Sequence, residues 1–97
     1  MRENRIRTIW AEGGSVLSGW VSMPTSLGAE IVAHQGFDAV VVDTQHGMIG
    51  FQAAAEMLQA ISTTSAMPLA RAQWNDPPSI MKLLDAGAYG IVCPMVN

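Results

Sequence analysis

Apolar positions along the chain fall into two alternating rhythms, short near-continuous runs and longer stretches with helical spacing, and their order predicts α-β-α-β-α-β-α-β. The run from Phe37 to Asp43 carries Ala39, Val40, Val41 and Val42 in succession. A run of that kind, flanked by helical stretches, predicts a parallel strand buried on both faces. Before it, a short helix is expected around Asn4 to Ala11, a turn at Gly13-Gly14, and a first strand from Ser15 to Met23 with Val16, Leu17, Trp20 and Val21 as its apolar members. Thr25 and Ser26 can open a helix by accepting from free backbone amides. Leu27, Ile31 and His34 then recur at helical spacing until Gly36, a residue suited to the positive φ of a helix end.

Downstream the same alternation returns. Phe51, Ala54, Ala55, Leu58 and Ile61 form one stripe of a helix, with alanines small enough to let it lie close to a sheet. Met67 to Ala72 reads as the third strand. Asn75-Asp76-Pro77-Pro78 predicts a helix start, with Asp76 as cap and proline just inside, and Ile80, Leu83 and Leu84 as the buried face. Gly87 closes that helix, and Tyr89 to Met95 is expected to be the fourth strand. Gly36 and Gly87 each precede an aromatic residue and a Val-containing strand, so the chain repeats a βα unit with right-handed crossovers. The fold class is therefore α/β, with about four parallel strands and intervening helices in a single domain over residues 1–97.

Composition narrows the function classes. Apolar residues make up 49% of the 97 residues and charged ones 13%, ample for a core but sparse for covering it. The net charge of −3, with only five basic residues, gives no basic stripe for nucleic acid and no polybasic segment for an anionic membrane. No run approaches the roughly 20 apolar residues of a membrane span, and the first residues lack a signal-peptide core. Cys93 is the only cysteine, so an internal disulfide or a thiolate zinc site is excluded and a cytoplasmic location is the simplest expectation. The sequence contains neither G-x-x-x-x-G-K-[ST] nor G-x-G-x-x-G, and no lysine ends a strand, which argues against phosphate loops, dinucleotides and Schiff-base chemistry.

Candidate chemistry gathers where strands end. In parallel βα proteins the carboxyl ends of strands open into the ligand crevice. Trp20 lies on the first strand, Asp43 and His46 stand at the end of the second, and Arg71 ends the third. A histidine there can move a proton near neutral pH, a nearby carboxylate can fix its tautomer or hold a hydroxyl, and an arginine supplies a forked cation for a carboxylate or a developing enolate. Each residue has an ordinary reading as well: a loop histidine, a carboxylate capping a turn, an ion pair, a core indole. Their coincidence on one rim favours a site for a small anionic oxo-acid. His34 and Gln45 are expected to be structural, and Trp10 and Trp74 to serve as contact residues. Asp85 ends a helix that precedes a strand, which puts it at the opposite rim.

The segments Gly19-Trp20, Ala29-Glu30-Ile31, Gly36-Phe37-Asp38, Val42-Asp43-Thr44-Gln45-His46-Gly47, Leu69-Ala70-Arg71, Asp85-Ala86-Gly87-Ala88 and Pro94-Met95-Val96 run in order through the chain. In that order and spacing they resemble the HpcH/HpaI family of metal-dependent class II pyruvate aldolases. The resemblance implies the N-terminal half of a (β/α)8 TIM barrel that cleaves 4-hydroxy-2-oxo acids to pyruvate and an aldehyde, with a divalent metal (Mg2+, Mn2+ or Co2+) stabilising the enolate. It implies acid/base work for His46, oxo-acid binding for Arg71, a place near the aldehyde-side hydroxyl for Asp43, a pocket wall for Trp20, and for Asp85 a role across subunits of a homo-oligomer. It also implies metal ligands from later strands, outside this chain, so that the chain by itself is expected to be inactive. Two rivals remain open: a non-catalytic half-barrel that dimerises as a binding or structural module, and a fragment of a citrate lyase β-like acyl-CoA lyase.

Overall fold

Helices α1 (Arg5–Ala11), α2 (Ser26–Ala33), α3 (Phe51–Ser62) and α4 (Pro77–Asp85) alternate with strands β1 (Ser18–Val21), β2 (Ala39–Asp43), β3 (Met67–Arg71) and β4 (Gly90–Val92) in a computed structural model that describes residues 3–45, 49–73 and 76–93. The strands form one sheet in the order β1-β2-β3-β4, and every neighbouring pair is parallel. Each consecutive pair is thus a βαβ unit, as the alternating rhythm predicts.

Alternation along the strands sorts the core into two sides. Val40, Val42 and Ala70 point into the larger cluster, with Ala29 and Ala33 of α2, Ala54, Met57, Leu58 and Ile61 of α3, and Leu83 of α4. Ala39 and Met67 join Ile6 of α1 in a smaller cluster on the other side, flanked by Val16, Leu69 and Tyr89. All five residues of β2 are buried, which makes it the axis of the sheet.

Helix α1 closes the amino-terminal end of the sheet. Asn4 Nδ2 donates to the Tyr89 carbonyl (3.3 Å), Arg5 Nη1 donates to the Ser65 carbonyl (2.9 Å), and Arg5 Nη2 lies 3.5 Å from Asp38 Oδ1. The other Asp38 oxygen accepts from the Leu17 backbone N–H at 2.9 Å. These ties join the segments that enter β1, β2, β3 and β4, so this rim is structural.

The signals at element ends act as the sequence suggests. Thr25 caps α2 by accepting from the Gly28 N–H, and Gly36 and Gly87 adopt φ of 97° and 117°, values that L side chains rarely take. Asp76 Oδ1 accepts from the Ser79 N–H at 3.0 Å, with Pro77 opening α4. The Ser79 side chain, then its backbone N–H, hold the Asp76 carboxyl below its ordinary value against a smaller opposing effect of burial. The group's folded pKa is depressed, so its contribution to stability is present above the unfolded carboxyl value near 4 and is lost as pH falls through the folded value. Melting followed from pH 7 down to pH 3 is therefore expected to show a smaller acid-induced loss for Asp76→Ala than for the wild-type chain, and a lower starting Tm.

Several boundaries and faces differ from the sequence reading. Strand β1 spans four residues rather than Ser15 to Met23, because it pairs only with β2 and its ladder covers Ser18 to Val21 alone. Leu17 is accordingly exposed. On α2 the expected stripe faces outward: Leu27 and Ile31 are 64% and 53% exposed, His34 is an exposed C-cap, and Ala29 and Ala33 face the sheet. Small residues win because they bring the helix axis closer to the strands. Phe51 and Leu84 are likewise exposed at the edges of their stripes, whereas Met57 is fully buried. Strand β4 is described as Gly90–Val92; the expected extension through Met95 runs into residues outside those described, as do Trp74 and Asn75. No helix among the described residues is long and apolar enough to cross a membrane.

Candidate active site

The ends of β2 and β3 bring Asp43 and Arg71 into direct register. Both side chains lie on the side of the sheet away from α2 and α3, since they continue the alternation Ala39, Val41, Asp43 and Met67, Leu69, Arg71. Arg71 Nε donates to Asp43 Oδ1 at 3.0 Å and Arg71 Nη2 donates to Asp43 Oδ2 at 2.5 Å, a forked, charge-assisted pair. The Asp43 side chain is 7% exposed and that of Arg71 24%, so the carboxylate is sunk into the sheet end while the guanidinium keeps an open part. Hydrogen bonding by Asp43 raises the Arg71 pKa above its already high ordinary value; burial opposes this, and the Asp43 charge adds to it. The group is a permanent cation.

Trp20 completes the cluster. Its ring centroid lies 5.0 Å from Arg71 Cζ, within cation–π range. Asp43 also accepts the Gln45 backbone N–H on Oδ1 at 3.0 Å, so the same carboxylate shapes the turn that leaves β2 and grips the cation. The sequence raised these as alternatives; the geometry combines them.

Thr44 was not singled out by sequence reasoning. It is buried, its hydroxyl donates to the Arg71 carbonyl at 2.6 Å, and its backbone N–H donates to the same oxygen at 3.2 Å. Two bonds from one residue thereby lock the end of β2 to the end of β3. A polar residue directly after a buried strand was the available signal.

Three of the five residues picked from the sequence, Trp20, Asp43 and Arg71, are brought together. His46 lies outside the described residues. Asp85 is exposed at the last turn of α4, at the opposite end of the sheet and away from the other three. On the helix side of the same rim, Thr44, Ile49, Gly50, Phe51, Gln73, Ser79, Lys82 and Leu83 line a cavity of about 170 Å³.

Chemically, Asp43 occupies the Nε and Nη2 edge of the guanidinium and leaves Nη1 uncommitted among the described residues. A planar cation held this way can receive a carboxylate or an oxo oxygen. The described residues contain no group of three or more His, Cys, Asp and Glu side chains able to hold a metal ion. Asp43, the carboxylate at the site, is already engaged by Arg71. The described residues therefore do not fit a metal centre.

Sequential parallel βα units with ionisable side chains at the carboxyl rim are the architecture of a (β/α)8-barrel protein, four of whose units this chain supplies. The chain belongs to the HpcH/HpaI aldolase/citrate lyase family, whose model matches residues 18–97. It is 54% identical over 94 residues to a hydroxypyruvate/pyruvate aldolase of Rhizorhabdus wittichii, covering 97% of this chain and 38% of that protein. A 4-hydroxy-2-oxo-heptane-1,7-dioate aldolase of Salmonella arizonae is 35% identical over 95 residues, which is 98% of this chain and 36% of the relative. Among solved structures, the citrate synthase SbnG superposes with a TM-score of 0.88 at 32% identity, over 97% of this chain and 38% of that one. The chain thus spans well under half the length of the relatives it matches.

Proposed function

We propose that this chain forms the oxo-acid-binding part of a carbon–carbon lyase that cleaves 4-hydroxy-2-oxo acids to pyruvate and an aldehyde. The observation that carries the proposal is the Asp43–Arg71 fork at the carboxyl rim, with Nη1 uncommitted among the described residues. The 54% identity to a hydroxypyruvate/pyruvate aldolase supports the same substrate class. In the reaction the substrate's C3–C4 bond breaks, its electron pair passes into the pyruvate enolate, the 4-hydroxyl proton leaves to a base, and C3 is then protonated. Arg71 stabilises the enolate's negative charge, and the fixed cation needs no reorganisation as that charge develops.

His46 is the proposed acid/base residue, Asp43 both orients Arg71 and lies near the aldehyde-side hydroxyl, and Asp85, exposed at the far rim, serves a neighbouring subunit in a homo-oligomer. A divalent metal, Mg2+, Mn2+ or Co2+, would supply further charge stabilisation to the enolate; the described residues offer no ligand set for it, and the 97 residues alone are expected not to turn over substrate. The enzyme works in the cytoplasm.

A chimera tests this reading: this chain replaces the matching 94-residue segment of the Rhizorhabdus wittichii relative, and pyruvate release from a 4-hydroxy-2-oxo acid is followed with added Mg2+ or Mn2+. The expected result is pyruvate formation by the chimera and none by the chain on its own. A folded chimera that binds metal but releases no pyruvate would overturn the substrate assignment.

A further inference from the structure

We infer that Trp20 is a positioning residue that acts through Arg71: its indole face holds the guanidinium that Asp43 grips along one edge, so that Nη1 meets its ligand in one orientation. The identity of that ligand rests on the oxo-acid reading above; the positioning itself does not.

The argument starts from the shape of the cation. A guanidinium is a plane with hydrogen-bonding edges and two faces. Asp43 takes the Nε and Nη2 edge. Two parallel hydrogen bonds fix the guanidinium within the plane they share but leave it free to hinge about the line joining the two acceptors. The Trp20 ring, 5.0 Å from Cζ, restrains that remaining motion.

The contact spans two strands. Trp20 is in register with Val41, and Arg71 with Asp43, so the two meet diagonally across β2 from strands on either side of it. Neighbouring strands lie about 4.8 Å apart, so β1 and β3 are separated by roughly 10 Å and both side chains must lean inward to touch. They do so above Val41, which is 2% exposed. A tryptophan serving only as a substrate platform would not need its ring spent on a neighbouring cation.

The test reads Arg71 directly in the ligand-free chain. Its Nε–Hε correlation in a 1H–15N spectrum is identified by its disappearance in Arg71→Lys. In the wild-type chain Hε is expected upfield of the other arginines from the ring current of Trp20; an Hε at the ordinary arginine position would overturn the inference without any Trp20 variant. In Trp20→Leu the upfield shift is expected to vanish and Hε exchange with water to quicken about two- to five-fold, the size of an ordinary cation–π restraint. Trp20→Phe, which keeps a π face, should stay closer to wild type. Should Trp20→Leu lose its native backbone spectrum, Trp20→Met supplies a side chain without a π face.

Pyruvate titration forms the second arm. Trp20→Leu is expected to weaken pyruvate binding by a similar factor. Weaker binding with an unchanged Arg71 signal identifies a substrate platform and sinks the positioning role. Absence of pyruvate binding to the wild-type chain counts against the oxo-acid reading, while the Arg71 spectrum still decides the role of Trp20.

Discussion

Arg71→Ala, introduced into the chimera that carries these residues, is expected to lower kcat/KM for pyruvate release by about 100- to 1000-fold, the usual consequence of removing a fixed donor from a developing oxyanion. The reason lies in the pair rather than in the arginine alone. Asp43 accepts from Arg71 Nε and Nη2 and is almost fully buried, so deleting the cation also removes two charge-assisted hydrogen bonds from a buried carboxylate. Arg71→Lys separates the two effects. An ammonium restores the charge but cannot make the fork, so it should recover the fold while leaving most of the catalytic loss in place. Steady-state kinetics together with Tm for wild type, Arg71→Ala and Arg71→Lys supply the check. An Arg71→Ala chimera whose kcat/KM stays within about three-fold of wild type would remove the arginine from the reaction.

That expectation rests on a site most of which could be read before any coordinates. Strand ends in a parallel βα protein must face one rim, so Trp20, Asp43 and Arg71 could be assigned to a common place from strand periodicity alone. What periodicity could not supply was the bonding within that place. Whether Asp43 caps a turn or pairs with Arg71 depends on the register of β2 with β3, which is set by long-range contacts, and the answer is that it does both. Thr44 escaped notice for a similar reason, since its two bonds reach a carbonyl 27 residues away. The order of elements was legible throughout. Helix faces were less so: size-weighted periodicity favoured Leu27 and Ile31 on α2, yet the sheet takes Ala29 and Ala33, because closeness of backbone approach outweighs the area of any one side chain.

That assignment of faces leads to the largest stability effect expected in the chain. Leu58 is 1% exposed on α3, in the same cluster as Val40, Val42 and Ala70 of the central strands. Leu58→Ala deletes methyl groups from the middle of that cluster and leaves a cavity that a helix held against a parallel sheet can close only in part, a loss of about 3–5 kcal/mol. For a domain of this size each kcal/mol corresponds to about 4–8 °C, so Tm should fall by roughly 12–40 °C. Since whole domains are stable by only about 5–15 kcal/mol, the variant would sit close to unfolding at growth temperatures. Leu27→Ala is the matched control. It makes the same chemical change at a site that the sequence pattern would bury but the structure leaves 64% exposed, and it should shift stability by less than about 0.5 kcal/mol. Urea unfolding of both variants distinguishes the two pictures of the helix layer. Equal losses would mean that α2 presents its leucine to the sheet after all, and with it the βαβ arrangement that carries Asp43 to the rim would have to be redrawn.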